Sequence, residues 1–326
     1  MCGLAGYFGN AVEPERLLAA MADSIAHRGP DGRGLKVVAP SGMAPGAGLS
    51  HVRLSIVGLA DSAQPMLSED GTLAIAFNGE IFNYVELRDE LVARGHRFRT
   101  SGDTEVLLKL YELHGEECLS RLNGDFAFAI WDGRTRRMFM ARDRMGVRPL
   151  FYTEKAGTLY FASEVKALLA IPGFQAQLDP LALDQVFTLW SPIAPRTAFA
   201  GVFELEAGQY MIADASGRRI STYWSLDFPD AGDVRPDMNE DDKAAQLRHL
   251  LEDATRIRLR ADVPVGSCLS GGLDSSIVAA LAADMAPRGL DTFAITFDSA
   301  EHDESDFQTL MARHLGVKHH EINCTE

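Results

Sequence analysis

Met1-Cys2-Gly3-Leu4-Ala5-Gly6 sets a cysteine directly behind the initiator methionine and follows it with small residues. Cysteine is small enough for that methionine to be removable, which would leave Cys2 with a free α-amino group. Thiol and amine then share one residue as nucleophile and base. An α-amine titrating at ~7.7–8.0 keeps a neutral fraction at cellular pH, and activation of a nucleophile by an N-terminal amine is an established strategy. A buried cysteine beside a frayed terminus is the plainer alternative. Leu4 to Phe8 reads as a strand, with Cys2 at its head.

Working outward, Pro14 to Ile25 has the pattern of a helix, with proline in the first turn and Leu17, Leu18, Met21 and Ile25 on one face. His27-Arg28-Gly29-Pro30-Asp31-Gly32 breaks it. Leu49 to Val57 resembles a strand with Arg53 near its middle, where an arginine is also at home as an ordinary exposed residue. Leu73 to Phe77 is a buried-type strand running into Asn78-Gly79-Glu80-Ile81-Phe82-Asn83, and Asn-Gly is equally a hairpin signal. Asn83 and Glu86 have capping spacing for a helix ending near Gly95. Ser101-Gly102-Asp103-Thr104-Glu105 opens a helix through Leu107, Leu108 and Tyr111, with Asp103 as its candidate N-cap. Phe126 to Trp131, Asp132-Gly133 and Met138 to Ala141 form a hairpin ahead of Arg142-Asp143. Strands joined by hairpins with a few helices predict an α+β first half.

At 326 residues the chain is long enough for two domains. Hydrophobic residues make up 46% and charged residues 24%, a globular composition. The net charge of −15 argues against nucleic acid as a partner. Cys2, Cys118, Cys268 and Cys324 form no CxxC or Cys/His zinc pattern, so free thiols in a reducing compartment are expected. Glu13, Glu15 and Arg16 interrupt any leader-like N-terminus. No run approaches the ~18 apolar residues of a membrane span. The expectation is a cytoplasmic protein without a membrane partner.

Residues 227–242 are acidic, contain Pro229 and Pro236 and lack periodicity, which places a linker there. Beyond it the pattern becomes strand (263–269), helix (275–283), strand (292–297) and helix (305–315), predicting an α/β parallel sheet. Ser305 and Gln308 have capping-box spacing. Ser270-Gly271-Gly272-Leu273-Asp274-Ser275-Ser276 joins the first of these strands to its helix. Glycines there let backbone N–H groups crowd an anion, the helix start adds positive partial charge, and the serines add donors. The lysine and spacing of GxxxxGK[ST] are absent.

Ser270 to Ser276 resembles the pyrophosphate loop of ATP pyrophosphatases. Cys2 to Gly6, His27 to Asp31, Arg53-Leu54-Ser55-Ile56, Asn78 to Asn83 and Arg142-Asp143 resemble an N-terminal-nucleophile (class II) glutaminase. Together, in this order, they resemble the glutamine-hydrolysing asparagine synthetase family, and so do Val263-Pro264-Val265-Gly266, Asp303-Glu304-Ser305 and His319-His320-Glu321. The resemblance implies a glutaminase domain over 2–226, a linker over 227–242 and the N-terminal part of a synthetase domain over 243–326. It assigns attack on glutamine to Cys2 and the oxyanion hole to Asn78 and the Gly79 N–H. Glutamine binding falls to Arg53, Ile56, Asn78, Glu80 and Asp103. Leu269 and Ile295 would contact adenine, while Ser270, Gly271, Gly272, Asp274, Ser275 and Ser276 cradle phosphates, with Mg²⁺ as the cation. No side-chain metal site is assigned. Glutamine, aspartate and ATP are the implied substrates, giving asparagine, AMP and pyrophosphate. Relatives acting on another carboxylate share the architecture, and a homodimer is compatible with it. The family's synthetase domain is considerably longer, so the chain reads as C-terminally truncated and is expected to keep the glutaminase step alone.

Overall fold

The computed structural model describes residues 1–40, 45–230, 232, 239–286, 289–298 and 303–325. Contacts divide the chain into two compact units, Met1–Asp227 and Phe228–Glu326. Within the expected linker, 231 and 233–238 lie outside the described residues, and Asn239 caps the helix that follows.

The first unit is built on two six-stranded antiparallel sheets. Its elements are β1 (Gly3–Gly9), α1 (Pro14–Ser24), β2 (Gly32–Val38), β3 (Gly46–Arg53), β4 (Met66–Leu67), β5 (Leu73–Ile81), α2 (Tyr84–Ala93) and α3 (Asp103–His114). There follow β6 (Gly124–Asp132), β7 (Arg137–Arg142), β8 (Phe151–Lys155), β9 (Thr158–Ala162), α4 (Val165–Leu168), α5 (Pro180–Leu189), β10 (Phe203–Glu204), β11 (Gln209–Asp214) and β12 (Gly217–Thr222). One sheet runs β10-β8-β9-β1-β3-β2 and the other β12-β11-β7-β6-β5-β4.

Side-chain alternation along these strands explains the layering. Leu4 and Phe8 of β1 and Ala47 and Leu49 of β3 meet Ala74, Ala76, Ala127, Ala129 and Met140 of the other sheet in one apolar cluster. The opposite set, Ala5, Tyr7 and Val52, packs on Leu17, Leu18, Met21 and Ile25. On the second sheet Leu73, Ile75 and Phe77 pack on Leu87, Leu91, Val106, Leu107, Leu108, Leu110 and Tyr111. Helices therefore cover both outer faces of a two-sheet sandwich. Strands buried on both faces read as continuous apolar runs, which is why β5 and β6 lack polar alternation.

The second unit carries α6 (Glu240–Arg258), β13 (Gly266–Cys268), α7 (Leu273–Met285), β14 (Asp291–Phe297), α8 (Ser305–Leu315) and β15 (Lys318–Cys324). β13, β14 and β15 form a parallel sheet in that order. β15 was not anticipated, and the strand expected over 263–269 is confined to Gly266–Cys268.

Several local expectations are corrected. Arg53 is the last residue of β3, so it stands at a strand end rather than mid-strand. Asn78-Gly79 makes no hairpin turn, because both residues lie inside β5 and pair with Ala127 and Phe126. Asn83 occupies the N-cap of α2 without capping it; its amide donates to the Arg121 carbonyl and its oxygen accepts from the Asn123 N–H. Gly102, not Asp103, is the N-cap of α3. Ser305 and Gln308 form no capping box, since Glu304 holds the N-cap and Gln308 turns to the strands.

Candidate active site

Cys2 shares the parity of Leu4 and Phe8, which puts its side chain at the end of the layer between the two sheets. Its thiol donates to the Leu54 carbonyl at 3.4 Å and accepts from the Leu54 N–H at 3.3 Å. Burial raises the thiol's pKa, partly opposed by the Leu54 backbone hydrogen bond. Arg28 donates through Nε to the Cys2 carbonyl at 2.8 Å and pairs with Glu164 at 2.9 Å. Asp31 holds the other wall: its N–H donates to the Arg53 carbonyl at 2.9 Å and its carboxylate accepts from the Ser55 N–H at 2.7 Å. The His27–Asp31 loop thus fixes the backbone on both sides of Leu54, against which the thiol rests.

Cys2 opens into a cleft of about 480 Å³ that also includes Arg53, Ile56, Asn78, Gly79, Glu80 and Asp103. All the residues that the resemblance assigns to glutamine chemistry are therefore brought to one place. The Arg53 guanidinium is aimed by the carbonyls of Val57 (3.3 Å), Gly58 (2.5 Å) and Leu59 (3.1 Å). Asp103 is buried and accepts from the Ile81 N–H at 2.9 Å. Burial pushes its pKa up to about 6 despite that bond. Glu80 is raised as well, first by burial and then by the charge of Asp103. The cleft is bipolar, with guanidinium and carboxylate groups placed to receive a zwitterion beside a thiol.

The pairing of β5 explains the donors. Phe126 lies opposite Gly79, but its N–H goes to the Asp143 carboxylate (3.1 Å) and its carbonyl receives the Asp143 N–H (2.8 Å). The Gly79–Phe126 pair is therefore non-hydrogen-bonded, and the Gly79 N–H points away from β6. β4 is too short to meet it, pairing only with Ile75 and Ala74. A side chain at Gly79 would stand 2.1 Å from the Asp125 carbonyl, with φ at +156°, so glycine is needed for this close approach. Beside it the Asn78 amide is fully buried, and neither its oxygen nor its nitrogen has a partner. A native structure rarely leaves such a group unpaired, so a water, an ion or a ligand is expected to complete it.

Sequence reasoning missed Gln64, Thr104 and Arg148, which also line the cleft. Asp143 accepts the N–H groups of Met145, Val147 and Arg148, each at 3.0 Å. Arg142 donates to the carbonyls of Arg148 (2.8 Å), Leu205 (2.7 Å) and Gly146 (2.6 Å). The Arg142-Asp143 motif thus shapes the loop that carries Arg148 to the site. Its guanidinium favours the charged form of Glu80. The signal for Arg148 was present in Arg142 to Pro149; Gln64 had none.

In the second unit, Ser270 to Ser276 wraps the start of α7, whose N-cap is Gly272. The hydroxyls of Ser270 and Ser275 lie 3.0 Å apart, and Ser275 donates to the Gly272 carbonyl at 3.1 Å. Gly271 has φ +87° and no room for a Cβ beside Phe307. These donors at a helix N-terminus fit a phosphate group. Asp274 and Ser276 lie on the first turn of α7, Asp274 exposed. An open apolar hollow of about 800 Å³ adjoins the loop, lined by Leu269, Phe293, Ile295 and Phe297 among others. Gln308 donates to the Ile295 carbonyl at 3.2 Å, so that acceptor already has a protein partner. Among the described residues no group of three or more His, Cys, Asp or Glu could hold a metal, and no helix is long and apolar enough to cross a membrane.

Comparison with known proteins agrees with this geometry. A family described as glutamine amidotransferase domain matches residues 1–224, and one described as asparagine synthase matches residues 246–326. Glutamine-hydrolyzing asparagine synthetase 1 of Bacillus subtilis (strain 168) is 37% identical over 325 residues, 98% of this chain and 49% of that protein. A putative asparagine synthetase of Mycobacterium tuberculosis (strain ATCC 25618 / H37Rv) is 39% identical over 339 residues, 98% of this chain and 51% of its own. Amidase chyE of Penicillium rubens is 35% identical, covering 93% of this chain and 46% of its own. The chain spans about half the length of these curated relatives. Among solved structures, the allosteric regulatory enzyme of purine biosynthesis superposes with a TM-score of 0.54 at 20% identity, over 99% of this chain and 80% of that one. Glutamine phosphoribosylpyrophosphate amidotransferase from B. subtilis gives 0.51 at 19%, over 99% and 81%. At these identities the likeness is one of fold.

Proposed function

Because the chain belongs to the glutamine amidotransferase family, we propose that its first unit hydrolyses glutamine with Cys2 as nucleophile. Removal of Met1 frees the Cys2 α-amine, which takes the thiol proton as sulfur adds to the side-chain amide carbon. The carbonyl oxygen becomes an oxyanion facing the Asn78 amide and the Gly79 N–H. Donors preorganised for that charge are usually the largest single contribution to acyl transfer. The α-ammonium then protonates the departing nitrogen, ammonia leaves, and water cleaves the γ-glutamyl thioester to glutamate. Arg53 takes the glutamine α-carboxylate, Glu80 and Asp103 take its α-ammonium, and Ile56 lies along its apolar stem. The unpartnered, fully buried Asn78 amide beside the Cys2 thiol is the observation that carries this reading.

For the second unit the proposed reaction is ATP-dependent amide formation. Ser270, Gly271, Gly272, Ser275 and Ser276 hold the phosphates, and the backbone at Leu269 and Ile295 meets adenine. Mg²⁺ bound with the nucleotide would neutralise charge on the leaving pyrophosphate, and Asp274 is the loop's acidic side chain that could meet it. Aspartate is activated at its β-carboxylate as the acyl-adenylate, and ammonia displaces AMP to give asparagine. A second reading is an acceptor carboxylate other than aspartate, since one relative at 35% identity is named an amidase rather than an asparagine synthetase. Four free cysteines suit a reducing, cytoplasmic setting.

Intact mass and a glutaminase assay test the first unit. The mature chain should lack Met1 and release glutamate and ammonia in equal amounts, and Cys2→Ala should fall to background. An unchanged rate in Cys2→Ala removes the proposal. Incubation with glutamine, ATP, Mg²⁺ and competing carboxylates tests the second unit: pyrophosphate with an amide product identifies the acceptor, and glutamate and ammonia without pyrophosphate mean that this chain carries the glutaminase step alone.

A further inference from the structure

His51 lies on β3 in the first sheet, with 1% of its surface exposed. It has the parity of Ala47 and Leu49, so its ring enters the layer between the sheets, where the Asn78 side chain also lies. Its Nε2 reaches the Phe77 carbonyl of the second sheet at 2.9 Å. A carbonyl can only accept, so Nε2 carries the proton and Nδ1 is a bare lone pair. That Nδ1 is buried with no partner. Burial lowers the ring's pKa to about 4, which keeps it neutral in the working range.

Phe77 occupies a particular place on β5. It pairs with Phe128, two positions from the Gly79–Phe126 pair, so its N–H and carbonyl also face the edge that β4 does not reach. Side chains plug that edge. The Phe77 N–H donates to Gln64 Oε1 at 2.7 Å, its carbonyl receives His51, and the Ile81 N–H goes to Asp103. The Phe77 carbonyl belongs to the peptide bond that continues into Asn78. Its tilt sets where the Asn78 Cα stands and where the next N–H, that of Gly79, points.

We propose that His51 is a positioning residue for the oxyanion site, acting through the Phe77 carbonyl to aim the Asn78 amide and the Gly79 N–H, without touching substrate. A core that needed only volume here would use a hydrophobe and avoid leaving Nδ1 unpartnered. The hydrogen bond spans two sheets, so it ties the Asn78 strand to β3, the same strand that ends at Arg53. The inference rests on the glutaminase reading above.

Three variants test it. His51→Gln places an amide N–H the same number of bonds from Cα as Nε2, His51→Asn places one closer in, and His51→Leu has none. Glutamine kcat and KM, thermal midpoint and the rate of Cys2 alkylation by iodoacetamide are measured for each. His51→Leu and His51→Asn should lose about 10- to 100-fold in kcat, the scale of a ~1 Å misplacement. KM should stay within about twofold, because the affected contact is made in the transition state. Alkylation, which needs no oxyanion donor, should be unchanged, and His51→Gln should recover most of kcat. Full activity in His51→Leu, equal loss in Gln and Leu variants, or a raised KM at constant kcat overturns the inference. If His51→Leu does not fold, the contrast between Asn and Gln decides. A wild type without glutaminase activity overturns the functional reading, and this inference with it; an active wild type with indifferent variants overturns this inference alone.

Discussion

Asp103 is a carboxylate whose surroundings disfavour its charge. It is buried, and its pKa rises to about 6 from 3.8 even though the Ile81 N–H favours the ionised form. The folded state therefore holds the proton to higher pH than the unfolded chain. Between about 3.8 and 6 rising pH costs stability through this group, and above about 6 that cost is fully present. The ionised carboxylate faces the cleft beside Glu80, where the proposed glutamine would present its α-ammonium. Below pH 6 Asp103 loses its charge. KM for glutamine should then rise as pH falls through about 6, with kcat less affected. Asp103→Asn should raise KM roughly 10- to 100-fold, the worth of one charged hydrogen bond, and should flatten this limb. Initial-rate kinetics from pH 5 to 8 check it; a limb near 6 that survives in Asp103→Asn belongs to another group.

At the scale of elements, the site is made by the edge of β5. Asn-Gly is ambiguous in sequence because the same pair serves a turn or a strand that must leave an N–H free. The ambiguity is resolved by partners far along the chain: β6 supplies the register, Asp143 takes the Phe126 backbone, and β4 stops short. No local pattern shows these events. The resemblance placed Cys2, Arg53, Asn78, Gly79, Glu80 and Asp103 together, and the cleft contains all of them. Gln64 and His51 stayed invisible because their partners are backbone atoms of β5, which no side-chain motif encodes. The capping patterns failed for the opposite reason: tertiary partners claimed the Asn83 and Gln308 side chains, while Ser305 bonded the neighbouring Asp303. The edge also predicts how Asn78 matters. Asn78→Ala removes one donor and leaves the Gly79 N–H in place, so kcat should fall roughly 10²–10³-fold, as for a lost oxyanion donor. KM should change little. A large rise in KM at constant kcat would make Asn78 a ground-state binding residue instead.

For the whole molecule, the change from hairpin-linked strands to strand–helix alternation was legible, because the periods differ and the connections differ with them. The units also differ in how much apolar surface they bury. The first has three clusters that seal both faces of its two sheets. The second has Leu269, Ala279 and Ala312 as its buried cluster, while Phe293, Ile295, Phe297 and Ile322 of its sheet and Phe307 and Leu310 of α8 are exposed. Burial of such side chains contributes ~1.5–3 kcal/mol each, so the two units should differ widely in resistance to opening. Proteases sample opened states, and at modest protease the rate follows the population of those states. Exposed aromatic sites occur in both units, Phe187 and Trp190 of the first among them, so the difference lies in opening, and chymotrypsin should cut first within 228–326. A fragment close to Met1–Asp227 should persist. Every residue of the cleft lies within that fragment, so glutaminase activity should remain within about twofold after the second unit is gone. Mass spectrometry of the digest, with glutamate release assayed at each time point, measures both. Loss of glutaminase in step with the first cleavage would mean that the cleft depends on the second unit, and equal survival of both units would mean that the exposed apolar side chains are not a weakness.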